Sequence, residues 1–296
     1  MNQKRKLKIG VIGGSGLYQI DGLGSMTRRR LTSAFGAASD RAFCGSLHGA
    51  EAVFLPRHGV GHRFPPSAVN YQANIAGLKG AGCGDVLSVS AVGSLREKLP
   101  PGTFVIVDQF IDRTFAREKS FFGPGLVAHV SMAHPVCTRL GNHLEAAARK
   151  LKIPVARGGT YLAMEGPQFS TLAESNLYRS WSCDVIGMTN MPEAKLAREA
   201  ELCYASVAMV TDYDCWHPEH DHVSVAQIVK TLHDNAEKAK ALIAEALPRI
   251  AGDPHGPDCP CRRSLEYAII TPPEARDPAM IRKLKVVAGR VLKKKK

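Results

Sequence analysis

KIGVIGGSGL, residues 8–17, is the stretch on which the reading of the chain turns. A short apolar run that ends in Gly-Gly-Ser-Gly is a β-strand feeding a tight turn. The turn is not a dinucleotide fingerprint: counted from Gly14, the third position is Gly16 but the sixth is Gln19. It is not a nucleoside triphosphate loop either, because no Gly-Lys pair follows. Two readings are left. The glycines let backbone N–H groups approach an anion closely, with the Ser15 hydroxyl as a further donor, or the turn serves only the fold.

Outward from this stretch, β-rich apolar runs recur at LKIGVIGG, EAVFLPRHG, DVLSVSAVGSL, TFVIVDQFIDR, GGTYLAMEGP, CDVIGMTNMPE and CYASVAMVTDYD. Helical patterns over 70–81, 138–151, 170–180, 192–201 and 224–247 lie between or after them. Pro192 suits a first helical turn, and Ser224 is a candidate N-cap. The alternation predicts an α/β protein. Neither an internal repeat nor a second core is visible, so the expected organisation is a basic N-terminal tail (1–8), one domain (9–250), a linker and C-terminal appendage (251–281) and a basic tail (282–296). The linker is marked by the Pro, Gly and Cys density of 251–264.

With 296 residues, 45% hydrophobic and 22% charged, the chain has the composition of an ordinary globular protein rather than a disordered or fibrous one. No apolar run reaches the roughly 20 residues of a membrane span, and the polar first eight residues do not begin a signal peptide, so a cytoplasmic location is expected. The net charge of +12 is confined to the ends. Lys4, Arg5, Lys6 and Lys8, with Arg282, Lys283, Lys285, Arg290 and Lys293 to Lys296, account for all of it, leaving a neutral body. These ends read as solvated tails, with RNA binding as the minor alternative. The eight cysteines include no CxxC pair, and the CPC at 259–261 lacks a second pair at zinc-finger spacing, so no metal is expected. Sequence does not choose between free thiols, a Cys259–Cys261 bridge and a Cys137–Cys203 bridge.

Polar residues gather just after the apolar runs: RHG, SAVGSL, GMTNMPE and TDYD all follow predicted strands. In open α/β sheets the crevice beyond the carboxyl ends of strands is where ligands bind. Gly13, Gly14, Ser15, Arg57, His58, Ser90, Ala91 and Thr189 supply backbone amides, hydroxyls and a guanidinium, a mixture suited to phosphate. Each has a plainer alternative, such as a surface ion pair for Arg57. His58 and His62 have no third partner and no HExxH helix, so they are not read as metal ligands. Glu165 is either an acceptor for sugar hydroxyls or a turn-stabilising carboxylate. Phe169 is either a base-stacking ring or core. Asp212 and Asp214 end an apolar strand, where burial raises a carboxyl pKa and lets it hold a proton for a leaving group; capping or turn formation is the alternative.

The ordered motifs IGGSGL, RHG, VNYQANI, AVGSL, DQFIDRT, EGPQFS, MTNMPE and CYASVAMVTDYDCW, spanning roughly residues 8–248, resemble those of the trimeric purine nucleoside phosphorylases, and most closely the branch acting on S-methyl-5'-thioadenosine. The resemblance implies a single α/β domain of phosphorylase/hydrolase-like type, with a central mixed β-sheet flanked by helices. It implies phosphorolysis of methylthioadenosine to adenine and 5-methylthioribose 1-phosphate, with inorganic phosphate as co-substrate and no cofactor. Ser15, Arg57, His58, Ser90, Ala91 and Thr189 match phosphate-binding positions, with Ser at two places where other members often have Thr. Met188 matches a ribose contact, and Phe169, Ser170, Ile186, Asp212 and Asp214 match the purine pocket. Val225 and Ile228 match the methylthio pocket. His62 is placed with the substrate-binding residues, and His129, with Ile270, with those lent by a neighbouring subunit of a homotrimer. Asp212, Asp214 and Arg57 are the expected catalytic residues. Gly187 departs from the Asn of some relatives. The alternatives are a 6-oxopurine nucleoside or methylthioinosine phosphorylase and, more remotely, a noncatalytic RNA-associated protein.

Overall fold

The computed structural model describes residues 8–14, 17, 26–218, 225–256 and 259–292, the side chains of 225–229 excepted. The first half runs β1 (Lys8–Gly13), β2 (Thr27–Arg29), the short strands β3 (Thr32–Ser33) and β4 (Gly36–Ala37), β5 (Ala42–Leu47), β6 (Ala50–Pro56), α1 (Tyr71–Gly80), β7 (Cys83–Ser94), β8 (Phe104–Val107), β9 (Gln109–Asp112) and α2 (Thr138–Lys150). The second runs β10 (Val155–Arg157), β11 (Thr160–Ala163), α3 (Leu172–Ser180), β12 (Val185–Gly187), α4 (Asn190–Glu199), β13 (Cys203–Asp212), α5 (Val225–Gly252), α6 (Pro278–Lys283) and α7 (Lys285–Leu292).

Local chemistry explains several boundaries. The Asn70 side chain accepts the Ala73 amide at the start of α1, and Thr171 with Glu174 forms a capping box at the start of α3. The helix expected from Pro192 begins at Asn190, with Met191 extended (φ −118°, ψ 132°) before the regular turns. The expected cap Ser224 lies outside the described residues.

The strands form one mixed sheet in the order β10-β8-β13-β7-β1-β6-β5-β2, as the α/β reading expects. β6, β1, β7 and β13 are parallel neighbours. β7 is long enough to serve twice: past its parallel section it pairs antiparallel with β12, from which β11 and β9 continue. Both faces of the sheet are covered, so β13 is apolar almost throughout. Tyr204, Ala208 and Val210 face a core shared with α1, α4 and α7. Cys203, Ala205, Val207 and Met209 face a second core shared with α2 and α5. That two-residue period is the strand's own. The edge strands β5 and β2, which extend the sheet beyond the expected β6, were not anticipated, since AFCGSL carries neither strong alternation nor an Asn-Gly turn.

The C-terminal stretch departs from the solvated tail expected of 282–296. Leu284, Val287 and Ala288 are buried against the first core, and Arg290 donates to both carboxylate oxygens of Glu201 at 2.8 and 2.6 Å. The stretch is helical as its pattern suggests, but charge counting hid its apolar face: positions three and four residues apart meet the core, and the lysines and arginines take the other side. Residues 293–296 lie outside the described residues, as do 1–7. Among the described residues no helix is long and apolar enough to cross a membrane.

Candidate active site

The carboxyl ends of β6, β1, β7 and β13 lie side by side, and the polar residues read from the sequence gather there. Register fixes the arrangement: Gly13 is opposite Pro56, while Ser90, Ala91 and Gly93 are opposite Ala208, Met209 and Asp212. The Arg57 amide donates to the Gly13 carbonyl (2.9 Å), holding the glycine turn against the end of β6. Ser15 itself lies outside the described residues.

Arg57 is 1% exposed and largely occupied within the protein. Its Nε and Nη2 donate to Glu193 Oε2 and Oε1 at 2.9 and 3.1 Å. Nη2 also donates to Ser88 Oγ at 2.7 Å and Nη1 to the Val89 carbonyl at 3.0 Å. A guanidinium has five N–H groups, so at most one is left for an anion. Burial works against the charge on Arg57, and Glu193 outweighs it and holds the group protonated. Glu193 also accepts from Ser88 Oγ (2.6 Å) and Tyr204 Oη (2.9 Å).

Beside this pair, Ser90 Oγ and Thr189 Oγ1 both donate to Asn190 Oδ1, at 3.1 and 3.4 Å. The Asn190 amide in turn donates to Ser206 Oγ. The two hydroxyls thus share one anchor, and Ala91 follows them, exposed, on β7. His58 Nδ1 donates to the Phe64 carbonyl (2.8 Å), and its ring stacks on His62 with centroids 4.2 Å apart. Burial and the Arg57 charge push the His58 pKa down to about 4, so the ring is neutral near pH 7 with a bare Nε2.

On the other side of Ala91, Gly93 adjoins the carboxylates. A Cβ there would come within 3.0 Å of Asp212 Oδ1 and 3.2 Å of both Asp214 Cβ and Ile186 Cγ2, so these three residues meet at a point only glycine leaves open. Burial raises the Asp212 pKa, although Thr211 Oγ1 (2.7 Å) and the Asp214 amide (2.8 Å) donate to its carboxylate. Asp214 is also raised by burial, with the neighbouring Asp212 adding to the push. Its Oδ2 is buried without a hydrogen-bond partner among the described residues. Ser170 lies close by, its carbonyl accepting from the Cys215 thiol (3.4 Å).

Met188 packs against Gly166, where a Cβ would meet its sulfur at 2.5 Å. Glu165 is committed to the protein: Oε2 accepts the Phe115 and Ala116 amides (2.6 and 3.1 Å), and Oε1 accepts from Ser67 and from Arg117 Nε (3.0 Å). Burial alone would raise its pKa, but the bonds from Ser67, Phe115, Ala116 and Arg117 together hold it down at about 2. Of the two roles open in the sequence, the turn-stabilising one accounts for these contacts.

Two expected residues stand apart. Phe169 is 83% exposed. His129 lines a cavity of about 420 Å³ with Lys119, Glu199 and Met132, none of them in the constellation above. The side chains of Val225 and Ile228 lie outside those described. The residues missed in the sequence are Ser88, Asn190, Glu193, Tyr204 and Arg117. Ser88 had a signal, a polar residue two before Ser90 on the same face of an apolar strand. Asn190 and Glu193 lie inside the quoted GMTNMPE. Nothing local distinguishes Arg117.

Residues 8–248 match the phosphorylase superfamily. Relatives named S-methyl-5'-thioadenosine phosphorylase include that of Rhodospirillum rubrum, 63% identical over 97% of this chain and 98% of the relative. That of Cereibacter sphaeroides is 58% identical over 97% and 99%. Among solved structures, a methylthioadenosine phosphorylase sourced from an Antarctic soil metagenomic library superposes with a TM-score of 0.90 at 45% identity, covering 96% of this chain and 99% of that one. Methylthioadenosine phosphorylase from Schistosoma mansoni in complex with tubercidin gives 0.81 at 36%, covering 88% and 97%.

Proposed function

This chain belongs to the phosphorylase superfamily, and from that premise we propose that it cleaves S-methyl-5'-thioadenosine with inorganic phosphate, releasing adenine and 5-methylthioribose 1-phosphate. The observation that carries the reading is the meeting of Asp212, Asp214 and Ile186 around Gly93, on the same strand as the Ser90 hydroxyl and the Ala91 amide. An anion site and a buried carboxyl pair are what a nucleophilic phosphate and a purine leaving group require.

Phosphate is held by the Gly13–Gly14 turn with Ser15, by the Ser90 and Thr189 hydroxyls, by the Ala91 amide and by the last N–H of Arg57, with His58 alongside. One phosphate oxygen bonds to C1' as the C1'–N9 bond breaks. The anion stabilises the positive charge that develops on the sugar. The departing bond pair leaves negative charge on the purine, and the raised pKa of Asp212 suits it to share a proton at N7. Overall, the proton lost by hydrogen phosphate ends on adenine, so nothing else is consumed and no cofactor is needed. The unpartnered Asp214 Oδ2 suits an exocyclic amine, whereas a 6-oxopurine would present an acceptor to a carboxylate. Met188 packs against the ribose, Ile186, Ser170 and Phe169 line the base site with His62 near its mouth, and Val225 and Ile228 surround the methylthio group. The protein works as a cytoplasmic homotrimer in which the exposed His129 and Ile270 reach a neighbouring site.

The purified protein is incubated with methylthioadenosine with and without phosphate, and free adenine is followed by chromatography. Adenine release that needs phosphate is expected. Release without it would make the protein a hydrolase, and turnover of inosine alone would move it to the 6-oxopurine branch.

A further inference from the structure

Away from the sheet's carboxyl ends, four cysteines converge. The sulfurs of Cys137, Cys203, Cys259 and Cys261 all lie within 4.8 Å of one another, and those of Cys203 and Cys259 are 3.5 Å apart. The chain brings them from three places. Cys137 occupies the N-cap of α2 without making a side-chain cap bond, Cys203 opens β13, and Cys259 and Cys261 belong to the short 3₁₀ turn Pro260–Arg263. The Cys137 amide donates to the Tyr204 carbonyl (2.7 Å), fixing the first two side by side. The second cysteine pair that CPC lacks in the sequence is thus supplied by the fold. Three of the four are buried and Cys259 is half-buried.

Buried free thiols ordinarily act as small apolar side chains whose conservation is decided by their reactivity or metal binding. A tetrahedral zinc tetrathiolate, with bonds of about 2.3 Å, has its sulfurs about 3.8 Å apart.

His255 is an independent pointer. Its side chain is fully buried and its Nδ1 lies 3.2 Å from Arg262 Nη1. A guanidinium can only donate, so Nδ1 accepts. With Nδ1 accepting, the ring N–H is on Nε2. That N–H has no hydrogen-bond partner among the described residues; Nε2 lies 4.0 Å from Asp85 Oδ1, and a ligating atom of the ring lies within 4.8 Å of Cys203 Sγ. A neutral thiol is a poor acceptor; a metal-bound thiolate is a good one, and N–H donors of this kind commonly surround metal ligands.

We propose that Cys137, Cys203, Cys259 and Cys261 are the ligands of a structural tetrathiolate site for a zinc-class divalent cation, which fastens the Pro260–Arg263 turn to α2 and β13. Four protein ligands close the coordination sphere, so the site takes no substrate. On binding, each thiol loses its proton to solvent and donates a sulfur lone pair. Four protons leave per ion.

The test uses the full-length protein, produced with added zinc and purified under a non-chelating reductant. Elemental analysis is expected to find one zinc per chain. Exchange for cobalt is expected to give the visible bands of tetrahedral Co(II) with sulfur-to-cobalt charge transfer. Cys259→Ser with Cys261→Ser loses both signals, whereas Cys44→Ser keeps both. Absence of stoichiometric metal together with absence of the cobalt bands in the reduced wild-type protein overturns the proposal. So does an intact mass showing the loss of two hydrogens per bridge among these cysteines in metal-free protein. Because the wild-type cobalt spectrum decides, a variant that fails to fold does not rescue the idea.

Discussion

Arg57 and Glu193 face each other in a two-pronged ion pair with side chains only 2% and 1% exposed, and Glu193 also accepts from Ser88 and Tyr204. The pair locks the end of β6 to α4 and sets the direction of the one N–H that Arg57 has left. Glu193→Ala leaves a buried guanidinium unpaired and should cost about 3–5 kcal/mol in denaturant unfolding. Arg57→Lys keeps a charge but not the fork, so it should both destabilise the protein and raise KM for phosphate. A KM change at unaltered stability would show that the pair does not hold the fold.

The His58 ring cannot donate to an anion in its neutral state, because its only proton is given to Phe64. Dianion binding should therefore draw a proton onto Nε2. At pH 8, where phosphate is already dianionic, calorimetric titration in buffers of different ionisation enthalpy should show proton uptake in the wild type and none in His58→Ala. In the absence of ligand, a folded pKa of about 4 against 6.5 means that the unfolded chain binds the extra proton. The contribution of His58 to stability is present above pH 6.5 and is lost as pH falls towards 4.

Asp212→Asn removes the shareable proton while keeping the shape. We expect kcat with methylthioadenosine to fall about 10²–10⁴-fold, with relative preference moving towards inosine, because an amide beside N7 can donate to the adjacent exocyclic 6-oxygen. Parallel steady-state assays of the two nucleosides check this. Unchanged adenine selectivity would sink the assignment.

Gly93→Ala puts a methyl group 3.0 Å from Asp212 Oδ1. Far-ultraviolet circular dichroism should be unchanged, while kcat/KM for the nucleoside drops at least about tenfold, the effect of displacing a carboxylate by a fraction of an ångström.

Glu165 offers a prediction about acid stability. Its folded pKa of about 2 against 4.5 makes a contribution on the order of 3 kcal/mol. That contribution is present above pH 4.5 and is lost as pH falls to about 2. Glu165→Gln should lower the urea midpoint at pH 7 and flatten its dependence on pH below 4.5.

How far these features could be read from the chain depended on whether their cause was local. The apolar run of CYASVAMVTDYD and the helical patterns over 70–81 and 170–180 were legible because strand and helix periods act over a few residues. The carboxyl-end crevice was legible because polar residues after apolar runs have nowhere else to go in such a sheet. Glu193, Asn190 and Arg117 were not, since each matters through a partner brought near by topology: Arg57 and Glu193 are 136 residues apart. The same holds for the cysteines, with Cys203 and Cys259 separated by 56 residues. The burial of α7 was obscured by the basic residues on its outer side.

The double pairing of β7 has a further consequence. Ser90 lies where the strand runs parallel with β13, and Gly93 lies where it has begun to pair with β12. Three residues of extended chain, about 10 Å, therefore separate the proposed nucleophile from the proposed leaving group. That spacing is a covalent ruler, indifferent to side-chain rotamers and to the loops above it. Substrate range can drift through the residues that touch the 5' group, while the distance over which the glycosidic bond must be exchanged stays fixed by the backbone.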